Sequence, residues 1–89
     1  MTAKEMFEKL GYEQITNNDN LIKYKNDSLG DGDYTYVSFN RIYTEYEVGY
    51  YDGYNKTRNP LWVSIQEYKA ITKQLKELGW IWAKQFMMK

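Results

Sequence analysis

Ala3, Met6, Phe7 and Leu10 are spaced i, i+3, i+4 and i+7, which places them on one stripe of a helix. Thr2 and Glu5 stand in the T-x-x-E spacing of a capping box just before that stripe, and Gly11 follows it as a residue free to take positive φ. The pattern predicts a short helix over residues 3–10, with Tyr12 folding back on Phe7. A helix of that length is not stable alone, so its stripe needs a surface to dock on. The same grammar returns late in the chain. Ser64 and Glu67 form a second capping box, with Val63 and Tyr68 placed for a hydrophobic staple. Ile65, Tyr68, Ile71, Thr72, Leu75 and Leu78 make the second stripe, and Gly79 ends it with Trp80 folding back on Leu75.

Between the helices the period changes. Leu21 to Lys25 alternates apolar and charged residues after the turn-rich run Asn17-Asn18-Asp19-Asn20, and Glu13 to Thr16 is placed to pair with it as a hairpin. Asn26 to Asp33 reads as a loop, Tyr34 to Phe39 as a strand dense in Tyr, Thr, Val and Phe, and Asn40-Arg41 as a turn. Tyr43 to Tyr51 continues as the last strand, and the polar run from Asp52 to Pro60 reads as a loop. These elements predict an α+β fold in a single domain, residues 1–89. It has an N-terminal helix, a three- to four-stranded antiparallel sheet and a C-terminal helix, with both helices packed on one sheet face. Val37, Phe39, Tyr46 and Val48 fit the covered side. Tyr34, Tyr36, Tyr43 and Tyr51 then stand on the other, among Glu45 and Glu47.

Composition removes several chemistries. With no Cys and no His among 89 residues, zinc fingers, disulfides, iron–sulfur sites and Ser–His or Cys–His catalysis are excluded. Asp27, Asp31 and Asp33 share one Gly-containing loop, but their spacing fails the EF-hand pattern, and Asp with Gly is ordinary turn chemistry. No metal site and no cofactor is expected. Glu45 and Glu47 share a strand face, yet nothing beside them splits their roles into acid and base, and no Gly-rich phosphate loop is present. The chain is therefore expected not to be an enzyme. The amphipathic N-terminus does not read as a signal peptide, and no apolar run approaches a membrane span, so a cytoplasmic protein is expected.

The first twelve residues, Met-Thr-Ala-Lys-Glu-Met-Phe-Glu-Lys-Leu-Gly-Tyr, resemble the start of small uncharacterised proteins of Gram-positive bacteria and their phages. The stretch from Tyr68-Lys69-Ala70-Ile71 through Glu77-Leu78-Gly79-Trp80 is similar to the C-terminal helix of those proteins. The two blocks cover about a third of the chain. The resemblance implies a bacterial cytoplasm or a prophage and brings no activity, substrate or catalytic residue. The tail after Trp80 departs from the pattern.

What stands out is the aromatic load. Ten Tyr and three Trp exceed what so small a core needs, and Tyr, Trp, Phe and Met are the residues in which protein interfaces are enriched. The expected function is a protein-interaction module that engages a partner or a second copy of itself as a homodimer. Its expected contacts are Tyr34, Tyr36, Tyr43 and Tyr51 on the sheet, with Trp82 and Phe86 in the aromatic tail. The alternative is single-stranded nucleic-acid binding by stacking on Tyr34 and Tyr36. Residues 36–39, Tyr-Val-Ser-Phe, resemble the end of the aromatic strand motif of RNA-recognition domains, without the basic residue and Gly that open it. Twelve cations against twelve anions supply no general attraction for a polyanion, so this alternative requires Lys23, Lys25 and Arg41 to converge beside the two rings.

Overall fold

In the computed structural model, which describes residues 1–81, both capping boxes form. The Thr2 hydroxyl accepts the Glu5 N–H (3.1 Å) while Glu5 accepts the Thr2 N–H (2.8 Å), opening α1 at Ala3–Lys9. Ser64 and Glu67 reciprocate in the same way (3.0 and 2.9 Å) to open α2 at Ile65–Glu77. Each helix ends as its glycine predicts: the Tyr12 N–H donates to the Phe7 carbonyl (3.0 Å) and the Trp80 N–H to that of Leu75 (2.9 Å), with Gly11 and Gly79 at positive φ. The Val63–Tyr68 staple does not form a covered contact. Both side chains stay exposed, and so does Ile65.

The sheet has five antiparallel strands in sequence order, not three or four: β1 Glu13–Asn17, β2 Leu21–Gly30, β3 Asp33–Asn40, β4 Glu45–Asp52 and β5 Thr57–Pro60. Three local causes account for the differences from the sequence pattern. The expected loop from Asn26 is mostly a bulged, exposed continuation of β2, and the turn is confined to Asp31 and Gly32, both at positive φ. The turn after β3 is longer than Asn40-Arg41, because the Asn40 side chain accepts the N–H groups of Ile42 (2.9 Å) and Tyr43 (3.1 Å). That turn delays β4 to Glu45. The expected loop from Asp52 to Pro60 is a second such turn followed by β5: Asp52 accepts the N–H groups of Tyr54 (2.9 Å) and Asn55 (3.1 Å), and the chain then returns along β4. β5 is fully exposed, without apolar alternation, and ends on Pro60, as suits an edge strand.

Both helices lie on one face of this sheet. Phe7 from α1 and Ala70 and Ile71 from α2 meet Ile22, Tyr24, Val37 and Phe39, with Tyr12, Val48, Leu75, Leu78 and Trp80 completing the core. Phe7 sits at its centre, stacked on Tyr24 (4.1 Å between centroids) and edge-on to Tyr12 (5.6 Å) and Phe39 (6.3 Å). Among the described residues, buried polar side-chain atoms are paired, as burial demands. The Tyr24 hydroxyl donates to Gln74 on α2 and accepts from Gln14 on β1, and Glu77 accepts the Ala3 N–H at the free start of α1 (2.9 Å). Val37, Phe39 and Val48 thus take the covered side as expected, and Tyr46 joins them by stacking on Phe39 while half exposed. No described helix is long and apolar enough to cross a membrane.

Candidate functional site

The face turned away from the helices is set by register. In β3 the even-numbered residues point to it, and pairing aligns Lys25, Tyr36 and Gly49 in one row and Lys23, Ser38 and Glu47 in the next. Tyr34 pairs with Tyr51, which pairs with Arg58 on β5. Three of the four expected sheet tyrosines are therefore brought together, with Tyr34 stacked on Tyr51 (4.9 Å) and edge-on to Tyr36 (6.1 Å). Tyr43 is not among them. It lies in the turn after β3, 70% exposed, because the Asn40 side chain holds residues 42 and 43 out of the strand. Trp82 and Phe86 lie outside the described residues.

Tyr36 does not stand up from the sheet. Its ring lies across Gly49, so that a Cβ at position 49 would come within 2.9 Å of the ring's Cε1 and closer still to Cζ and the hydroxyl. A side chain opposite Tyr36 would lift the ring, so only glycine lets it lie flat. Tyr36 is accordingly 2% exposed, although it belongs to the face without helices.

Two of the three cations required beside the rings are present, and the third is replaced. Lys23 Nζ stands 5.1 Å from the Tyr36 centroid and 5.8 Å from that of Tyr34, and Lys25 Nζ is 4.5 Å from Tyr34. Arg41 does not converge with them: its guanidinium donates to the Asn17 side chain (3.2 Å) at the end of the sheet. Arg58 takes the place expected of it, 6.0 Å from the Tyr36 centroid on the β5 side. Sequence reading missed Arg58 because its segment carries no strand pattern. The available signal was the turn composition Asp52-Gly53-Tyr54-Asn55, which permits a hairpin and then sets Arg58 opposite Tyr51.

Between these groups lies an open cleft of about 550 Å³, lined by Lys23, Tyr36, Ser38, Glu47 and Arg58 among others. Burial holds the Lys23 ammonium below its ordinary pKa; the nearby Arg58 charge adds to this, and Glu47 opposes it. Burial, and then the Glu47 charge, raises the Tyr36 phenol. Among the described residues no three acidic side chains are grouped to hold a metal ion. Asp33, from the expected acidic loop, accepts the Tyr50 hydroxyl (3.0 Å) and the Gly53 N–H (2.7 Å), bracing the two hairpin tips against each other. Outside the sheet face, Trp62 is 95% exposed, so its ring adds nothing to the fold.

Compared with protein-family models, curated proteins and solved structures, the chain matches none.

The tyrosines make alkaline pH a test of this packing. Tyr12 and Tyr24 in the core and Tyr36 on the open face are all held above the ordinary phenol value, in each case foremost by burial. Groups raised in the folded state contribute stability that is complete below the unfolded value of about 10 and is lost as pH rises through the folded values. Lys23, lowered by burial, works in the opposite sense, but it is one group against three. The urea midpoint is expected to be flat from pH 7 to about 9.5 and to fall steadily above pH 10. A midpoint unchanged at pH 11 would contradict the buried, protonated state of these phenols.

Proposed function

We propose that the chain is a small non-enzymatic binding module that engages a protein partner, or a second copy of itself, through the sheet face its helices leave uncovered. The observation that supports this is the placement of both helices on one face, which leaves Tyr34, Tyr36 and Tyr51 opposite them beside Lys23, Lys25 and Arg58. Tyr and Arg are the residues that anchor protein interfaces. The face carries both signs of charge, which suits a partner with its own charge pattern better than a uniform polyanion. Trp82 and Phe86 belong to the same proposal, as does the bacterial or prophage setting that the resemblance implies. Single-stranded nucleic-acid binding is the second reading, favoured by the placement of Lys23 and Lys25 over the rings of Tyr34 and Tyr36.

The test is a photo-crosslinking amino acid placed at position 51 in the full chain, in the cell that makes it, with one at Lys69 on α2 as control. A discrete protein adduct from position 51 alone is expected. No adduct, or the same adduct from both positions, would overturn the reading.

A further inference from the structure

We infer that the partner is a second copy of this chain, docked sheet face to sheet face about a two-fold axis that runs along β3. This rests on the protein-interaction reading and names the partner.

Charge placement carries the argument. The uncovered face sets Lys23, Lys25 and Arg58 against Glu13, Glu45 and Glu47, so two copies meet there without general repulsion. The signs are also ordered. β3 is the middle strand, with β2 and β4 beside it and β1 and β5 outside. Lys23 and Lys25 lie on β2, whereas Glu45 and Glu47 lie on β4. Turning one copy about the line of β3 lays its β2 over the other's β4, and its β1 over the other's β5.

Register then decides which side chains meet. Lys23, Ser38 and Glu47 share one row, so each Lys23 stands over the second copy's Glu47, and symmetry makes the pair twice. Glu45 falls over Leu21, two residues along β2 from the second copy's Lys23. Glu13 shares the row of Lys25, Tyr36, Gly49 and Pro60, which carries it to β5 one pair away from Arg58. Within one copy Glu47 offsets Lys23 only from across the sheet; the second copy brings the opposite charge from directly above. An axis in the same plane but across the strands would lay β2 over β2 and bring Lys23 against Lys25. The charges therefore select the axis along β3.

Shape and area agree. The Tyr36 ring lies on Gly49, so it does not stand up on the axis and hold the two sheets apart. The strands have 5, 10, 8, 8 and 4 residues. At about 3.3 Å per residue and about 4.8 Å per strand they outline roughly 550 Å². Two copies thus bury about 1,000 Å² together, the lower end for a specific interface, and the expected dimer is of micromolar affinity.

The experiment is sedimentation of the full chain from about 5 to 500 μM, with charge reversals mixed in trans. The native chain is expected to reach twice its mass of 10.7 kDa. Lys23→Glu and Glu47→Lys alone are each expected to weaken the dimer at least about tenfold, since each sets like charges opposite at two places. An equimolar mixture of the two is expected to associate within about threefold of the native affinity, because every pair is again of opposite sign. Melting curves check that each variant folds. If either does not, Glu13→Lys and Arg58→Glu, both on exposed edge strands, replace them with the same expected pattern. A monomer throughout, a dimer that the reversals leave unchanged, or a mixture that fails to recover overturns the inference. If it falls while crosslinking from position 51 captures a protein other than this chain, the interaction reading stands.

Discussion

Phe7→Ala is expected to remove about 3–5 kcal/mol of stability, the range for deleting a buried aromatic ring and leaving its cavity. The ring is fully buried and touches three other aromatic side chains, one stacked and two edge-on: Tyr12 just before β1, Tyr24 on β2 and Phe39 on β3. It is also the main anchor of a helix only seven residues long, which has no stability apart from this contact. A chain of this size holds roughly 5–10 kcal/mol in total, so the variant should lie close to its unfolding threshold at room temperature. Urea denaturation followed by tryptophan fluorescence measures it, with Phe7→Leu as the milder comparison. A loss below about 1.5 kcal/mol would mean that α1 is not docked through this ring.

Gly49→Ala is expected to cost about 1–3 kcal/mol, the usual penalty for forcing atoms into filled space, although it adds one methyl to a strand where alanine is otherwise tolerated. The reason is the Tyr36 ring lying in the space a Cβ would need. The effect therefore depends on its neighbour. In a Tyr36→Ala background the same substitution should cost little or even stabilise, since glycine in a strand carries an entropic penalty. A coupling energy of at least about 1 kcal/mol across the double-mutant cycle is expected, and additive effects would contradict the flat ring. The variant also reports on the site, because lifting Tyr36 alters one wall of the cleft.

The sequence makes the helices and the central strands legible because their signals are local. Thr2 with Glu5 and Ser64 with Glu67 close their own capping boxes, and Gly11 and Gly79 permit the turn that carries Tyr12 and Trp80 back onto the core. Alternation in β3 fixes which side of the sheet Val37 and Phe39 occupy, and Tyr34 and Tyr36 follow on the other. Less legible is what depends on side chains folding back on the backbone. Asn40 and Asp52 each build a turn by accepting two N–H groups, which removes Tyr43 from the sheet and returns the chain as β5. Thr57–Pro60 has no apolar alternation because no residue in it is buried; pairing with β4 alone makes it a strand.

The candidate site shows the same division. Lys23 and Lys25 are placed by β2 periodicity and were within reach of pattern reading, whereas Arg58 depends on a turn and a register. Arg41, three residues from Ser38 in sequence, is carried away by the turn after β3 and held by Asn17. That Tyr36 lies down on Gly49 follows from a cross-strand pair thirteen residues apart, a relation composition does not reveal.

Comparison of crosslinking from position 51 with crosslinking from position 69 tests most directly whether the uncovered sheet face is the working surface. The two positions lie on opposite sides of the molecule, one on β4 facing away from the helices and one exposed on α2. The account predicts a discrete protein adduct from position 51, reduced when Arg58 is changed to Gln, and none from position 69. An adduct from position 69 alone would place the binding surface on the helices and contradict it.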